Sequence, residues 1–433
     1  MFTDRTSIAT SLTLSLLAAC ASVYAAGETE AESTVPASTP ATTGLDRNPL
    51  NGPDSADSLL TDSSEEKADV LNKNILKQWE TWKNSLEERT GFGFGADYTA
   101  VGLRATESLG DNSAASDIFR LYGSWALFNR GSKNTGSLEF KAENRHAFTD
   151  IPPATFGLVV GYAGVPEPVF SDQGVRGTTF YWKQHFLEDR AVARVGIIDI
   201  KEYFDVYALA SPWSGYFNLA FSTGANTMIA LPDGTFGAMV GGYLTDKVYA
   251  AVSIADASAD PTSPFKSIDT FFSDFDTFKS LEIGLTGGGK KFFLDNAHIS
   301  FWHLDDSAET GAPGGWGVMG SFSTLIDGKW LPYLRAGWAD EGGGLYEASV
   351  STGFGYMKQP GGNLVGIGLN WGRPNSDTLP LDLNDQWTGE FFYRLQLSEN
   401  FQITPNVQIL AEPALNPNEN LIILLGLRTR FTF

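Results

Sequence analysis

The sequence predicts an all-β fold: a transmembrane antiparallel β-barrel of about 16 strands, preceded by a short N-terminal helix. The C-terminal stretch Leu421–Phe433 alternates between two faces, one of which is apolar, with the period of two that marks a strand. The same alternation continues from Gly91 onward, interrupted by clusters of Gly, Pro, Asn and Asp. No helical pattern recurs between these strands, which argues against βαβ units.

Composition and charge narrow the class of protein. The chain has 433 residues, a formal net charge of −21, 42% hydrophobic residues and 13% aromatic residues. Such an acidic balance argues against nucleic-acid binding, which depends on Lys and Arg contacts to phosphates. Outside the N-terminus there is no apolar run of about 18 residues, so spanning helices are not expected. A barrel remains compatible, because only alternate residues of its strands face lipid.

The first 26 residues predict a secretory signal peptide that is absent from the mature protein. Arg5 precedes an apolar core at Ile8–Cys20, and Val23-Tyr24-Ala25 supplies small residues for cleavage. The stretch Leu17-Ala18-Ala19-Cys20 also resembles a lipobox, so lipidation of Cys20 is the alternative to ordinary cleavage. Because Cys20 is the only cysteine, no intramolecular disulfide is expected in either case.

Two further segments separate the signal from the predicted barrel. Residues 27–63 are rich in Glu, Ser, Thr, Pro, Ala and Asp, and this composition predicts a disordered tether. Residues 64–90 are predicted to form a helix that either joins a short coiled coil or packs against the barrel mouth. Its apolar positions share one helical face: Leu71, Ile75, Trp79, Trp82 and Leu86.

Residues 91–433 are predicted to form the barrel, and the character of its two faces favours this over a soluble sandwich. Aromatic residues stand near the strand ends, as at Trp330 and Trp338, where a membrane interface would lie. The opposite face is polar, which suits a water-filled lumen. The last strand must pair with the first, since an open edge in lipid leaves backbone groups unsatisfied. Arg428 and Arg430 then face the lumen.

Several blocks of this region resemble the carbohydrate-selective porins of the OprB type. The match is sharpest near the C-terminus and has weaker counterparts upstream. The blocks are Glu390–Leu397, Phe401–Leu410, Glu412–Asn418, Gly426–Arg430, Tyr181–Phe186, Ala193–Asp199, Tyr203–Asp205 and Pro332–Trp338. The resemblance implies a 16-stranded barrel in the outer membrane of a Gram-negative bacterium, through which sugars diffuse. The acidic tether and the possible lipobox depart from the usual pattern of that family.

The polar face and the resemblance together predict the residues that line the pore. Planar polar side chains can hydrogen-bond to sugar hydroxyls, and the guanidinium fork of arginine can donate to two neighbouring hydroxyls. Alternatively, each arginine pairs with a lumen carboxylate and only keeps the pore open. Arg394 and Arg428 are the preferred candidates for the narrowest part. The predicted set is Arg194, Arg335, Glu390, Arg394, Gln396, Gln408, Arg428 and Arg430.

Two aromatic loops leave alternatives open. Ser267–Phe278 is either an external loop or one that folds inward and narrows the pore. Ser211–Asn218 contains Trp213, Tyr216 and Phe217, which either stack on sugars or belong to an interfacial girdle. The expected partners are mono- or oligosaccharide solutes and outer-membrane lipid, with the protein acting as a monomer or a homotrimer.

Other functions have weaker support in the sequence. Gly284–Lys291 has most of a phosphate-loop pattern, but Lys291 stands where Ser or Thr is needed. His298 and His303 are five positions apart without an intervening Glu, which is not a zinc-binding spacing. No nucleophile is marked, so no catalytic residue, cofactor or metal is expected. A barrel channel for organic acids or aromatics and a soluble surface protein remain the alternatives.

Overall fold

The structure is a computed structural model that describes residues 50–64, 70–71, 76–228, 231–307, 313–341, 344–358 and 362–433. The predicted signal peptide, Cys20 and most of the predicted tether lie outside the described residues.

The described residues form one closed antiparallel barrel in which each strand pairs with its neighbours along the chain. Sixteen strands are present, as predicted. They are β1 Phe92–Ala105, β2 Ser113–Phe128, β3 Gly136–Ala147, β4 Gly174–Phe186, β5 Ala191–Ile198, β6 Thr235–Tyr243, β7 Val248–Asp256, β8 Thr277–Thr286, β9 Asn296–Leu304, β10 Gly315–Ser323, β11 Trp330–Glu341, β12 Tyr346–Met357, β13 Leu364–Pro374, β14 Gln386–Ser398, β15 Phe401–Ala411 and β16 Leu421–Thr432.

The last strand closes the barrel against the first, which confirms the predicted role of the C-terminal stretch. The antiparallel register runs from Asp97 opposite Thr432 to Ala105 opposite Leu424. The amide of Phe433 also donates to the carbonyl of Ala96 at 2.8 Å. Closure leaves no open sheet edge, which a hydrocarbon environment would penalise by several kcal/mol per unpaired group.

The two faces of the strands separate as the alternation predicts. In β16, Leu421, Leu425 and Leu427 are about half exposed on the outer surface. Arg428 and Arg430, which alternate with the outward-facing Leu427 and Thr429, are buried on the inner face. Apolar side chains therefore cover the outside of the barrel, where lipid would lie, and polar side chains line the inside.

Aromatic side chains lie at both ends of the outer surface. Trp330, at the start of β11, contacts Tyr356 with ring centroids 4.6 Å apart. Trp338, near the other end of the same strand, contacts Trp316 at 4.9 Å. Two aromatic belts of this kind mark the levels of the membrane interfaces in outer-membrane barrels.

The connections differ in length between the two ends of the barrel. The end where β1 begins and β16 finishes carries mostly short turns, and we call it the turn end. The opposite end, the loop end, carries the long connections 148–173, 199–234 and 257–276. In outer-membrane barrels the short turns face the periplasm and the long loops face the cell exterior. Two short helices lie in the loops: α3 Phe156–Val160 and α4 Lys266–Ser273.

The N-terminal region differs from its prediction. The structure contains helix α1 at Ala56–Ser64, of which all but the last residue lies in the stretch 27–63 that was predicted to be a disordered tether. Within the predicted helix over 64–90, the structure describes helix α2 at Lys77–Thr90, and residues 65–69 and 72–75, which include Ile75, lie outside the described residues. Leu71 is not part of α2: the amides of Val70 and Leu71 donate to the carbonyls of Gln396 and Leu397. Composition suggested disorder because residues 50–64 have too little apolar surface to form a core of their own. In the structure they are buried against the inner face of the barrel instead.

Helix α2 packs at the turn end, one of the two alternatives left open by the sequence. Lys83 Nζ donates to the carbonyl of Phe433 at 2.6 Å. Trp79 and Trp82 stack on each other and contact the outward-facing Phe94 edge-on at 5.9 and 6.1 Å. The amphipathic tryptophan pair therefore adds to the aromatic belt at this end. Among the helices of the described residues, none is long and apolar enough to cross a membrane.

Candidate functional site: the lumen and its constriction

The connection after β5 folds into the barrel and crosses its lumen. We call residues 199–228 the inner loop. Its backbone reaches β14, which lies about half-way around the closed sheet from β5. There the amides of Phe217 and Asn218 donate to the carboxylate of Glu390 at 2.6 and 2.9 Å. A loop held at both walls in this way divides and narrows the lumen.

Asp205 anchors the inner loop to the wall formed by β9 and β11. Its carboxylate accepts from Arg335 Nη2 at 2.6 Å and from the amide of Gly224 at 2.7 Å. His298 Nε2 lies 3.0 Å from the other oxygen. Burial alone would raise the pKa of Asp205, but Arg335 and His298 hold this pKa below its ordinary value. The carboxylate is therefore charged, fully buried and paired.

We expect the Asp205–Arg335 pair to fix the inner loop. Asp205→Leu leaves the Arg335 guanidinium buried without its charged partner, which should lower the free energy of unfolding by about 3–5 kcal/mol. The measurement is urea titration of the folded barrel in detergent, followed by gel mobility. Asp205→Leu combined with Arg335→Met removes both charges and should recover much of that loss. A double variant as unstable as the single one would contradict a charge-pair role.

Arginine side chains hold the middle of the inner loop. Arg428 donates to the carbonyl of Gly215 at 2.8 Å and also to that of Pro212, and its guanidinium lies over the ring of Phe217. From β2, which is separated from β16 only by β1, the guanidinium of Arg120 lies 3.5 Å from the centroid of the Trp213 ring. A cation over an aromatic face is attracted by the ring quadrupole, and this attraction is stronger where water is excluded. These aromatics are therefore fastened inside the lumen.

The loop between β3 and β4 also folds inward and contacts the inner loop. Tyr162 Oη lies within hydrogen-bonding distance of Thr388 Oγ1, Tyr346 Oη and Asn218 Oδ1 at 2.9, 3.0 and 3.2 Å. The carbonyl of Pro166 accepts from Gln408 Nε2 at 3.0 Å. This polar network joins both loops to the barrel wall. The two loops therefore occupy part of the lumen near the loop end.

Residues 50–64, which we call the N-terminal insert, lie inside the barrel next to the inner loop. Arg194 Nη2 donates to the carbonyl of Leu50 at 2.8 Å. The amide of Gly52 donates to the carbonyl of Glu202 at 2.6 Å. Asp57 is paired with Lys183 of β4. The insert thus contacts both the wall and the inner loop.

A cavity of about 210 Å³ lies between the insert, the inner loop, the connection from β8 to β9 and the wall of β14–β16. Its lining combines carboxylates, amides, guanidinium groups and aromatic rings. The residues are Asn51, Pro53, Asp54, Ser58, Leu59, Asp62, Ala208, Ser214, Gly289, Phe292, Phe293, Leu294, Arg394, Gln396, Gln402 and Arg430.

The structure places the eight predicted pore residues in two groups, all on the inner side of the barrel. Arg394, Gln396 and Arg430 line the cavity. The remaining five hold the inward-folded segments: Arg194 the insert, Arg335, Glu390 and Arg428 the inner loop, and Gln408 both inward loops.

The two aromatic loops adopt different positions. Trp213, Tyr216 and Phe217 are buried inside the lumen, so their alternative assignment to an interfacial girdle is wrong. Helix α4, which overlaps the stretch Ser267–Phe278, does not cross the pore. Phe271 contacts the outward-facing Phe236 at 5.3 Å, and Phe272 is 71% exposed. Of the two aromatic loops, only the one after β5 narrows the lumen.

Sequence reasoning missed several lumen residues. Asp97 of β1 accepts from Arg120 and from Arg430, which ties the barrel seam together from the inside. Asp205 and the whole N-terminal insert were also absent from the predicted site. Position within a strand could have indicated Asp97, which alternates with outward apolar residues. Within the described ranges, no cluster of His, Cys, Asp and Glu could hold a metal ion.

A closed 16-stranded barrel with an apolar coat and a polar lumen crossed by a loop defines a porin-type barrel of the outer membrane. Residues 297–433 match the family model described as carbohydrate-selective porin, OprB family. The resemblance to this family predicted from the sequence is confirmed over these residues.

Solved structures support the same fold over most of the chain. The high-pH structure of Pseudomonas putida OprB aligns with a TM-score of 0.64 at 14% identity, covering 85% of this chain and 100% of that chain. The low-pH structure of the same protein aligns with a TM-score of 0.51 at 11% identity, covering 84% and 100%. A search of curated protein sequences found no match.

Proposed function

We propose that this chain lets mono- or oligosaccharides diffuse across the outer membrane, with residues 1–26 acting as its export signal. The supporting observation is the cavity lining, which combines Arg394, Gln396 and Gln402 with the rings of Phe292 and Phe293. Amide and guanidinium groups can hydrogen-bond to sugar hydroxyls, and aromatic faces can cover their C–H surfaces. Permeation requires such contacts to be weak enough for release.

Among the eight predicted residues, we assign solute contact to Arg394, Gln396 and Arg430. These three residues line the cavity. Gln396 Oε1, Arg394 Nε and Arg430 Nε are buried and have no hydrogen-bond partner within the described part of the chain; the same holds for Nε of Arg194 and Arg335, but those two residues do not line the cavity. A buried polar atom without a partner is costly, so a passing hydroxyl group or water would be held there. The other five residues act indirectly, because they fix the segments that shape the cavity.

Charge pairing favours neutral solutes over organic acids. Asp97 accepts from two arginines, and Lys183 lies 2.8 Å from Glu139. Lys141 lies 2.8 Å from Glu202. Because these bases have acidic partners, part of the positive charge of the wall is compensated, which weakens its attraction for an anion. A strong anion preference in the reversal potential under a KCl gradient would favour the organic-acid alternative.

The test is single-channel recording in planar bilayers with and without glucose and malto-oligosaccharides. We expect an open channel whose ion current falls as sugar is added. Gln396→Leu nearly keeps the side-chain volume but removes the amide. It should therefore raise the sugar concentration that blocks half of the ion current by about three- to tenfold.

Arg190→Leu is the control, since Arg190 pairs with an exposed Asp246 at the turn end and lies outside the cavity. It should leave sugar block unchanged. A channel that conducts ions but is indifferent to every sugar would contradict the proposal.

A further inference from the structure

We propose that the N-terminal insert, residues 50–64, is a fixed plug whose bulk and acidic charge set the width and the ion selectivity of the channel. This inference goes beyond sugar permeation, because it assigns a role to a segment outside the barrel wall. It does not depend on the solute being a carbohydrate.

The insert is built into the lumen by polar contacts at its first half. Arg194 holds the carbonyl of Leu50, and the amide of Gly52 donates to the carbonyl of Glu202. Ser211 Oγ donates to Asp54 Oδ1 at 2.9 Å, and Glu202 and Ser211 both belong to the inner loop. The insert is therefore fastened to the same loop that narrows the pore.

The second half of the insert packs against the wall. Ala56, Leu59 and Leu60 are at most 8% exposed and form an apolar cluster with Tyr122, a lumen-facing residue of β2. Apolar side chains on the inner face of a porin would otherwise contact water. Their burial here stabilises the insert by the hydrophobic effect and removes the volume it occupies from the aqueous path.

The open space that remains is bounded by the insert itself. Asn51, Asp54, Ser58 and Asp62 form one side of the 210 Å³ cavity, and side chains of β14–β16 form another. Without the insert, this cavity would merge with the space that residues 50–64 now fill. The insert and the inner loop therefore share the constriction.

The charge of the insert opposes the charge of the wall around it. Its sequence contains Asp54, Asp57 and Asp62 but no Lys or Arg. Burial would raise the pKa of Asp57, but Lys183 holds this pKa below its ordinary value, so Asp57 is charged. Burial raises the pKa of Asp54. Loss of the insert would leave Lys183 without one of its two acidic partners and make the lumen more positive.

The insert can be removed without cutting a strand. After α1, the chain reaches the turn end, where Val70 and Leu71 bond to the end of β14 and α2 packs on β1. Deletion of residues 50–64 therefore leaves all sixteen strands and α2 in the sequence.

The experiment is single-channel recording in KCl, without sugar, on wild type and on the deletion of residues 50–64. We expect conductance to rise at least about twofold, because the aqueous path widens. Under a salt gradient, the reversal potential should shift toward anion selectivity. Deletion of residues 30–44, an equally long piece of the predicted tether, is the control and should change neither quantity.

A point substitution tests the insert if the deletion does not fold. A Cβ added at Gly52 would clash with the carbonyl of Glu202, so Gly52→Val should displace the insert and change conductance in the same direction. Gly102→Ala is its control, because a Cβ added there meets no neighbouring atom. Wild-type conductance in a folded deletion or in folded Gly52→Val would overturn the plug, and wider channels with unchanged selectivity would overturn its charge role. A sugar-indifferent channel could still pass this test.

Discussion

Replacing residues 207–222 of the inner loop by a short Gly-Ser linker is expected to raise the single-channel conductance about threefold or more. This segment carries the aromatic side chains that fill the middle of the lumen, including Trp213 and Phe217, both almost completely buried. It also contains the carbonyls that occupy Arg428. Shortening it would open the aqueous path and expose Arg428 to passing ions.

The control for this experiment is a matched shortening of the loop that contains α4. That loop is similarly aromatic, but it packs on the outside of the barrel through Phe271 and Phe236. It should therefore leave conductance close to that of wild type. Unchanged conductance in a folded inner-loop variant would mean that ions bypass the inner loop. Planar-bilayer recordings in KCl distinguish the outcomes.

Leu427→Arg is expected to destabilise the barrel more than Leu421→Arg, a matched substitution in the same strand, β16. Leu427 lies midway along the strand on the outer face, where an arginine at the bilayer midplane costs about 2–4 kcal/mol. Leu421 lies on the same face at the end of the strand, where the cost falls to about 0–1 kcal/mol. The two leucines are 50% and 49% exposed, so depth in the membrane is the main difference between them.

The measurement is the free energy of unfolding in phospholipid vesicles, from urea titrations followed by gel mobility. Leu427→Arg should shift the midpoint far more than Leu421→Arg. Equal losses for the two variants would indicate that the outer face does not contact the hydrocarbon core. Thr429→Ser, on the same face, serves as a conservative control and should stay close to wild type.

The barrel wall could be predicted because its signal is local. Each strand residue points to the face opposite its neighbours, so the sequence of a single strand such as β16 reveals which side chains meet lipid. Closure between β1 and β16 followed from the cost of an open edge in lipid. The structure confirms both, down to Arg428 and Arg430 on the inner face.

The roles of the lumen side chains could not be predicted in the same way. Alternation places Arg335 and Arg394 on the inner face, but it does not say what each one contacts. Arg335 pairs with the carboxylate of Asp205 in the inner loop, whereas Arg394 lines the cavity and donates to the carbonyl of Ser214 in that loop at 3.4 Å. The difference depends on where one long loop runs, and its composition resembles that of the external loop containing α4.

The sequence by itself determined the wall: the strand number, the lipid-facing and lumen-facing sides, and the closure of the last strand on the first. Only the tertiary structure decided what fills the barrel. The inner loop is held by contacts such as that between Phe217 and Glu390, which are 173 positions apart in the chain. The N-terminal insert has a composition typical of disorder and is ordered only because the lumen buries it. Local periodicity carries no information about such distant partners, and this is why the wall was predictable and its contents were not.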